Sequence, residues 1–401
     1  MPNLPPCIDC VMKIVADENI PLLMECFGAL GEVIALPGRD MTTKDLQDVD
    51  ALLVRSVTKV TESLIRNSTI KFVGTCTAGF DHVNHAYLAN RGIAFTNAPG
   101  CNATSVVEYV LSALDILAEK DNFDLHHRTV GVVGKGQVGG RLYDILEQLG
   151  VKVYANDPLC EQNSAIRFLE LDELIERCDV ICLHTPLTTE GAYPTHHLIG
   201  KKQLDAMNPS TILISAGRGP VVDNEALKQA LKKGQDLTVV LDVWEYEPDV
   251  DPELIQLVDI ATPHIAGYSL DGKIRGTEMI YRFLCEYFEL SDDLDVAAII
   301  PAPALKQLEF SDSVSARDAC SIAIRAVYDI RRDDSNMRKL IHRPEVERKQ
   351  MFDSLRKNYA ERREFNTLSI SYTGSNKLLK RELCALGFDA ALLNCSLIDQ
   401  K

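Results

Sequence analysis

Short apolar runs rich in β-branched residues alternate with helix-periodic stretches through the first three quarters of the chain. Residues 13–17, 33–37, 51–56, 71–77 and 93–97 read as strands separated by helical patterns, a βα rhythm that predicts a small parallel sheet of flavodoxin-like type. A second series follows at 129–133, 151–156, the run before His184, 211–215, 237–241 and 259–261. Between the two series, Ser105-Val-Val-Glu108 has the form of a capping box opening an amphipathic helix to about Glu119, with Val107, Leu111, Leu114 and Leu117 on its apolar face. A helix over 275–290 is expected to return the chain to the first sheet.

Pro301-Ala-Pro303 breaks the pattern. Beyond it the spacing predicts a helix over 314–331, a charged helix over 345–363, a strand over 368–372, a helix over 377–386 and a strand over 390–393. The division expected is 12–104 with 275–298 as one domain, 105–274 as a second and 299–401 as a third.

The second series carries candidate chemistry. Thr129-Val-Gly-Val-Val leads into Gly134-Lys-Gly136-Gln137-Val138-Gly139 and a helical segment, the arrangement of a dinucleotide-binding (Rossmann) fingerprint. Its glycines permit a tight turn and close approach of backbone to a pyrophosphate, which the helix N-terminus then favours. Asp157 ends the next strand, where a carboxylate accepts hydrogen bonds from a ribose and repels a 2′-phosphate, so NAD is expected over NADP. Three later strands run directly into Ala216-Gly217-Arg218-Gly219, Asp242-Val243-Trp244-Glu245-Tyr246-Glu247-Pro248 and Thr262-Pro263-His264. Parallel strands deliver their C-terminal ends to one crevice, so one Arg, one Glu and one His should meet there. That set can hold a carboxylate, set an imidazole's pKa and move a proton.

Composition narrows the partners. A net charge of −16 over 401 residues argues against binding nucleic acid or an anionic membrane surface. No apolar run approaches the ~20 residues that span a bilayer, and the N-terminus lacks the basic and apolar regions of a signal peptide. Twelve scattered cysteines suit the cytoplasm, with Cys as an apolar filler. Cys7-Ile-Asp-Cys10 has no second pair and lies in an extension over 1–11, so no metal site is expected.

The fingerprint, the Ala-Gly-Arg-Gly turn, the Asp-Val-Trp-Glu-Tyr-Glu-Pro box and Thr262-Pro-His-Ile-Ala-Gly267 together resemble the D-isomer-specific 2-hydroxyacid dehydrogenases. The resemblance implies an α/β fold: a Rossmann domain, a flavodoxin-like substrate domain and, from the C-terminal segments, an additional α+β dimerisation domain. It implies His264 as general acid/base, Glu247 as the carboxylate that orients its ring, and Arg218 as the grip on the substrate carboxylate. Cofactor contacts carried over are Gly134, Gly136, Gln137, Val138, Gly139, Asp157, Thr185, Ala216, Gly217, Arg218, Asp242 and Gly267. Ser56, Thr77 and Tyr268 match substrate-binding positions. Glu245 is a competing carboxylate, and His126, His127, His196 and His197 read as loop or surface residues.

Segments such as Val327-Tyr-Asp-Ile-Arg-Arg-Asp-Asp334 are similar to one homodimeric member whose substrate is a phosphorylated 2-hydroxy acid. Candidates for a phosphate grip are Arg55, Lys59, Arg331 and Arg332. The alternatives are another dehydrogenase of the family, acting on phosphoglycerate or glycerate, and a non-catalytic NADH-sensing interaction protein.

Overall fold

The computed structural model describes residues 11–160, 166–373 and 377–392; Cys7 and Cys10 lie outside them. The chain divides into two compact units: the residues up to Asn102 with Leu270–Pro301, and Ala103–Ser269 with the chain from Ala302 onward.

In the first unit, β1 (Met12–Asp17), β2 (Gly31–Leu36), β3 (Ala51–Val54), β4 (Phe72–Thr75) and β5 (Ala94–Asn97) form a parallel sheet in the order β2-β1-β3-β4-β5. Ile14, Ala16, Ala51 and Leu53 share a core with Ile274, Ile280 and Leu284 of the helix Leu270–Tyr287. Val15, Leu52 and Val54 face a second core with Leu46, Ile65 and Leu88. Burial on both faces is why these strands read as unbroken apolar runs rather than as alternation.

In the second unit, β6 (Thr129–Val133), β7 (Lys152–Asn156), β8 (Val180–Leu183), β9 (Thr211–Ser215), β10 (Leu237–Leu241) and β11 (Ile260–Ala261) form a parallel sheet ordered β11-β10-β9-β8-β6-β7. The chain reverses its direction of sheet growth between β6 and β8, which makes their C-terminal ends a ligand-binding crevice.

The C-terminal segment adds a parallel sheet of β12 (Gln307–Phe310), β13 (Ser369–Tyr372) and β14 (Asp389–Leu392), in that order. Phe310, Ala319, Ile324, Phe365 and Leu383 join the core that holds Leu111, Val130 and Val153. Met337, Leu340 and Phe352 join the opposite core with Leu213 and Leu254. The segment therefore contributes to both of the main hydrophobic cores of its unit.

Three local expectations are corrected. The helix Ala103–Lys120 begins before Ser105, so Ser105 and Glu108 cap nothing. Instead the Ser105 hydroxyl meets Ser269 Oγ at 2.7 Å and donates to Glu364 at 3.1 Å, and Glu108 accepts the Phe365 N–H at 2.7 Å. The helix expected over 314–331 is two, Ala316–Val327 and Arg331–Arg338, because Tyr328 turns extended and its carbonyl accepts from Ser112 at 3.1 Å. The helix expected over 345–363 stops at Lys357, since the stretch that follows carries Arg362 and Glu364 into burial. β12 was not anticipated.

Candidate active site

The glycine turn after β6 has the shape a dinucleotide needs. Gly134 has φ +88°, and a Cβ there would lie 2.9 Å from the Thr185 backbone nitrogen. A Cβ on Gly139 would sit 1.9 Å from the Gly134 carbonyl oxygen, so only glycine lets the helix Gln137–Gln148 pack this close to its strand. Gly136, the N-cap, has nothing within 4 Å of where its Cβ would be. That open space faces the unpaired N–H groups of the first turn. Asp157, after β7, is tied to the same loop: Oδ2 accepts the Lys135 N–H at 2.8 Å and Oδ1 the Leu159 N–H at 3.1 Å. Across the crevice, beyond β8, Thr185 Oγ1 is buried without a hydrogen-bond partner. These residues fit a dinucleotide: an open cradle, a helix N-terminus, an acid and an unsatisfied hydroxyl.

Arg218, Asp242, Glu247 and His264 follow β9, β10 and β11. A Cβ on Gly219 would lie 1.9 Å from the Trp244 carbonyl oxygen, so this glycine allows the Arg218 turn to rest directly on the backbone that leads to Glu247. Arg218 is half-buried and donates from Nη1 to the Gly217 carbonyl at 3.0 Å.

Asp242 is fully committed to holding the His264 loop. Its Oδ1 accepts from Thr262 Oγ1 at 2.6 Å and the Ile265 N–H at 2.8 Å, its Oδ2 accepts the Ala266 N–H at 2.9 Å, and its carbonyl takes the His264 N–H at 2.7 Å. Burial pushes the Asp242 carboxyl above its usual range despite these donors. Trp244 Nε1 adds a 2.9 Å bond to the Thr262 carbonyl. The scaffold holds His264 at φ +57°, a left-handed conformation unfavourable for a residue with a Cβ.

Glu247 accepts the Trp244 N–H at 2.8 Å with Oε1 and meets His264 Nδ1 at 2.7 Å with Oε2. A carboxylate can only accept, so the proton of this bond belongs to Nδ1 and the ring presents Nε2 outward. Burial works to raise the Glu247 pKa, but the charge and hydrogen bond of His264 and the Trp244 N–H bring it below the ordinary glutamate value. The competing Glu245 is turned elsewhere, with Oε1 at 2.7 Å from His197 Nε2. Tyr268 is half-buried four residues past His264, packed edge-on to Tyr359 at 5.7 Å.

Ser56 and Thr77 belong to the first unit. Ser56 is exposed after β3, and Thr77 follows β4, with Oγ1 donating to the Gly79 carbonyl at 2.9 Å. Arg55 pairs with the buried Asp17 at 3.1 Å, while Lys59 is exposed.

Sequence reasoning missed the residues that the C-terminal segment adds here. Arg362 is buried, with its guanidinium 3.7 Å above the Tyr328 ring, and donates to the Ala266 and Ser105 carbonyls at 3.1 and 2.6 Å. Arg356, in the last turn of the helix Glu345–Lys357, points its guanidinium carbon to within 5.9 Å of the Tyr268 ring centroid. Both sit in a run of charge that reads as a solvated face; the stretch from Leu355 to Glu364 resembles the family, but nothing in it distinguishes these two arginines from their charged neighbours.

Residues 115–266 match the family described as D-isomer specific 2-hydroxyacid dehydrogenase, NAD binding domain, and residues 299–387 match a domain of unknown function. Over 378 residues the chain is 48% identical to an erythronate-4-phosphate dehydrogenase of Hahella chejuensis, covering 94% of this chain and 99% of that one. It is 49% identical over 376 residues to the protein of that name from Azotobacter vinelandii, again covering 94% and 99%. A solved structure similar to it is D-lactate dehydrogenase from Aquifex aeolicus complexed with NAD and lactic acid. That likeness has 26% identity and a TM-score of 0.58, over 69% of this chain and 96% of that chain.

Proposed function

We propose that this chain, which belongs to the D-isomer-specific 2-hydroxyacid dehydrogenase family and within it to the erythronate-4-phosphate dehydrogenases, oxidises the C2 alcohol of 4-phospho-D-erythronate with NAD. The product is (R)-3-hydroxy-2-oxo-4-phosphooxybutanoate, an intermediate on the way to pyridoxal 5′-phosphate. The observation that carries the reading is the 2.7 Å contact of Glu247 with His264 Nδ1, at the sheet edge that also presents Arg218.

The chemistry divides among these side chains. His264 Nε2 takes the proton of the C2 hydroxyl, and the C2–O bond becomes a carbonyl as C2 gives up its hydride. NAD, when bound, accepts that hydride. Glu247, held anionic by its neighbours, balances the imidazolium that forms. Arg218 forks to the substrate carboxylate and the reacting oxygen. Gly134, Gly136, Gln137, Val138 and Gly139 hold the pyrophosphate, and Asp157 takes the ribose hydroxyls. Thr185, Ala216, Gly217, Arg218, Asp242 and Gly267 line the rest of the cofactor path. Asp242 acts there through the loop that it braces. Ser56, Thr77 and Tyr268 bind substrate.

The same proposal assigns residues 12–104 and 275–298 to substrate, 105–274 to cofactor and 299–401 to dimerisation, in a cytoplasmic homodimer. None of the nine described cysteines is in a disulfide, which suits a reducing compartment, and Ile322 and Leu378 lie exposed on helices of the C-terminal segment. No helix of the described residues is long and apolar enough to cross a membrane.

The experiment is turnover of the purified protein with NAD against 4-phospho-D-erythronate, D-erythronate, phosphoglycerate and glycerate. The expected result is the highest kcat/KM for 4-phospho-D-erythronate. An equal or higher value for another acid would overturn the substrate, and no turnover of any would favour an NADH-sensing protein.

A further inference from the structure

A small acid with a carboxylate at one end and a phosphate at the other needs two cationic grips, and Arg218 accounts for one. Residues 331–364 hold eleven Lys/Arg against seven Asp/Glu, and several of those cations are already spent. Arg331 closes on Asp329 through Nε and Nη2 at 2.6–3.1 Å. Arg332 is taken by Asp333 and Tyr359. Arg338 serves Asp334 and the carbonyls of Ile255, Val258 and Asp259. Arg362 is buried in its backbone contacts.

Arg356 differs. No ion pair among the described residues includes it, its side chain hydrogen-bonds Tyr268, and its buried Nε has no hydrogen-bond partner. The guanidinium lies between two rings, 5.9 Å from the Tyr268 centroid and 6.0 Å from that of Phe352. Phe352, one turn back on the same helix, is fully buried in the core beneath, so the arm that carries Arg356 is anchored. The neighbouring carboxylates that feel its charge, Glu247 and Asp242, already use both oxygens on His264, Trp244, Thr262, Ile265 and Ala266. A buried guanidinium N–H without an acceptor, beside a half-buried Tyr four residues from the acid/base, calls for a ligand that brings the acceptor.

We propose that Arg356 is the second grip: it binds the substrate's phosphate, so that the C-terminal segment supplies the residue that selects a phosphorylated hydroxy acid. The inference rests on the substrate reading above. Two phosphate oxygens match the fork of a guanidinium, and Tyr268 beside it holds the same end of the substrate.

The test is the ratio of kcat/KM for 4-phospho-D-erythronate to that for D-erythronate, in the parent protein, Arg356→Gln and Arg356→Lys. Removing one charged grip is expected to cut this ratio about 10- to 100-fold in Arg356→Gln, with partial recovery in Arg356→Lys. The dissociation constant for NAD should be unchanged. If the parent's ratio survives in both variants, or if both substrates lose equally, Arg356 is not the phosphate grip and the substrate reading stands. A parent ratio near one overturns the substrate reading and this inference together.

Discussion

Glu364 accepts the Ser269 hydroxyl at 2.9 Å; both residues are fully buried, and Ser269 lies five positions beyond His264, the proposed acid/base. The same carboxylate oxygen accepts from Ser105 at 3.1 Å. With Arg362 on the Ala266 carbonyl, the C-terminal segment straps down the loop that holds His264 in its left-handed conformation. Glu364→Ala removes the acceptor that these two buried hydroxyls share, leaving them only each other, and should cost about 1–3 kcal/mol in urea unfolding. It should lower kcat more than it weakens NAD. Unchanged stability and kcat would show that the strap does not position the loop.

Arg218→Lys keeps the charge and loses the fork. The expected outcome is a drop in kcat/KM of at least about 100-fold, on the scale of a lost oxyanion donor, with an unchanged thermal melt. Activity within a few-fold of the parent would remove Arg218 from the substrate grip.

Asp157→Ser keeps a small polar group and removes the charge. NAD affinity should fall and NADP turnover should rise, read as the ratio of the two kcat/KM values. A parent protein that already uses both cofactors equally would contradict the role given to Asp157.

His184 has both ring nitrogens buried without partners, and burial pushes its pKa from 6.5 down to about 4. As pH falls through 6.5 the unfolded chain takes up a proton that the folded one refuses. Stability is therefore lost between about 6.5 and 4, at up to about 1.4 kcal/mol per pH unit. His82, lowered to about 4 by burial against the opposing pull of Asp81, adds a loss of the same sign. Urea midpoints at several pH values should fall less steeply in His184→Gln than in the parent. Parallel slopes would show that His184 takes up its proton as readily in the native state as in the unfolded chain.

Strands of the two larger parallel sheets were legible because runs such as Thr211–Ser215 and Leu237–Leu241 are buried on both faces and stay apolar throughout. The meeting of Glu247 with His264 was legible for a related reason: β10 and β11 are parallel neighbours, so the boxes that follow them emerge at one edge. β12 was hidden because only Phe310 of its four residues is buried, which leaves no run to read. Ser105 and Glu108 have the spacing of a cap, but a tertiary partner, the stretch around Glu364, claims both side chains. Arg356 and Arg362 lie in a charged stretch whose local pattern matches a solvated helix. Only the packing of Phe352 and the backbone carbonyls of Ser105 and Ala266 turn them inward, and neither is encoded within a helical period.

The central claim is that His264, held by Glu247, moves the proton as 4-phospho-D-erythronate is oxidised. Single-turnover formation of NADH at saturating NAD, compared between the parent and His264→Asn, tests it most directly. General acid/base catalysis contributes about 10²- to 10⁴-fold, so His264→Asn should bind NAD like the parent and form NADH at least about 100-fold more slowly. A variant that forms NADH at the parent's rate would contradict the account.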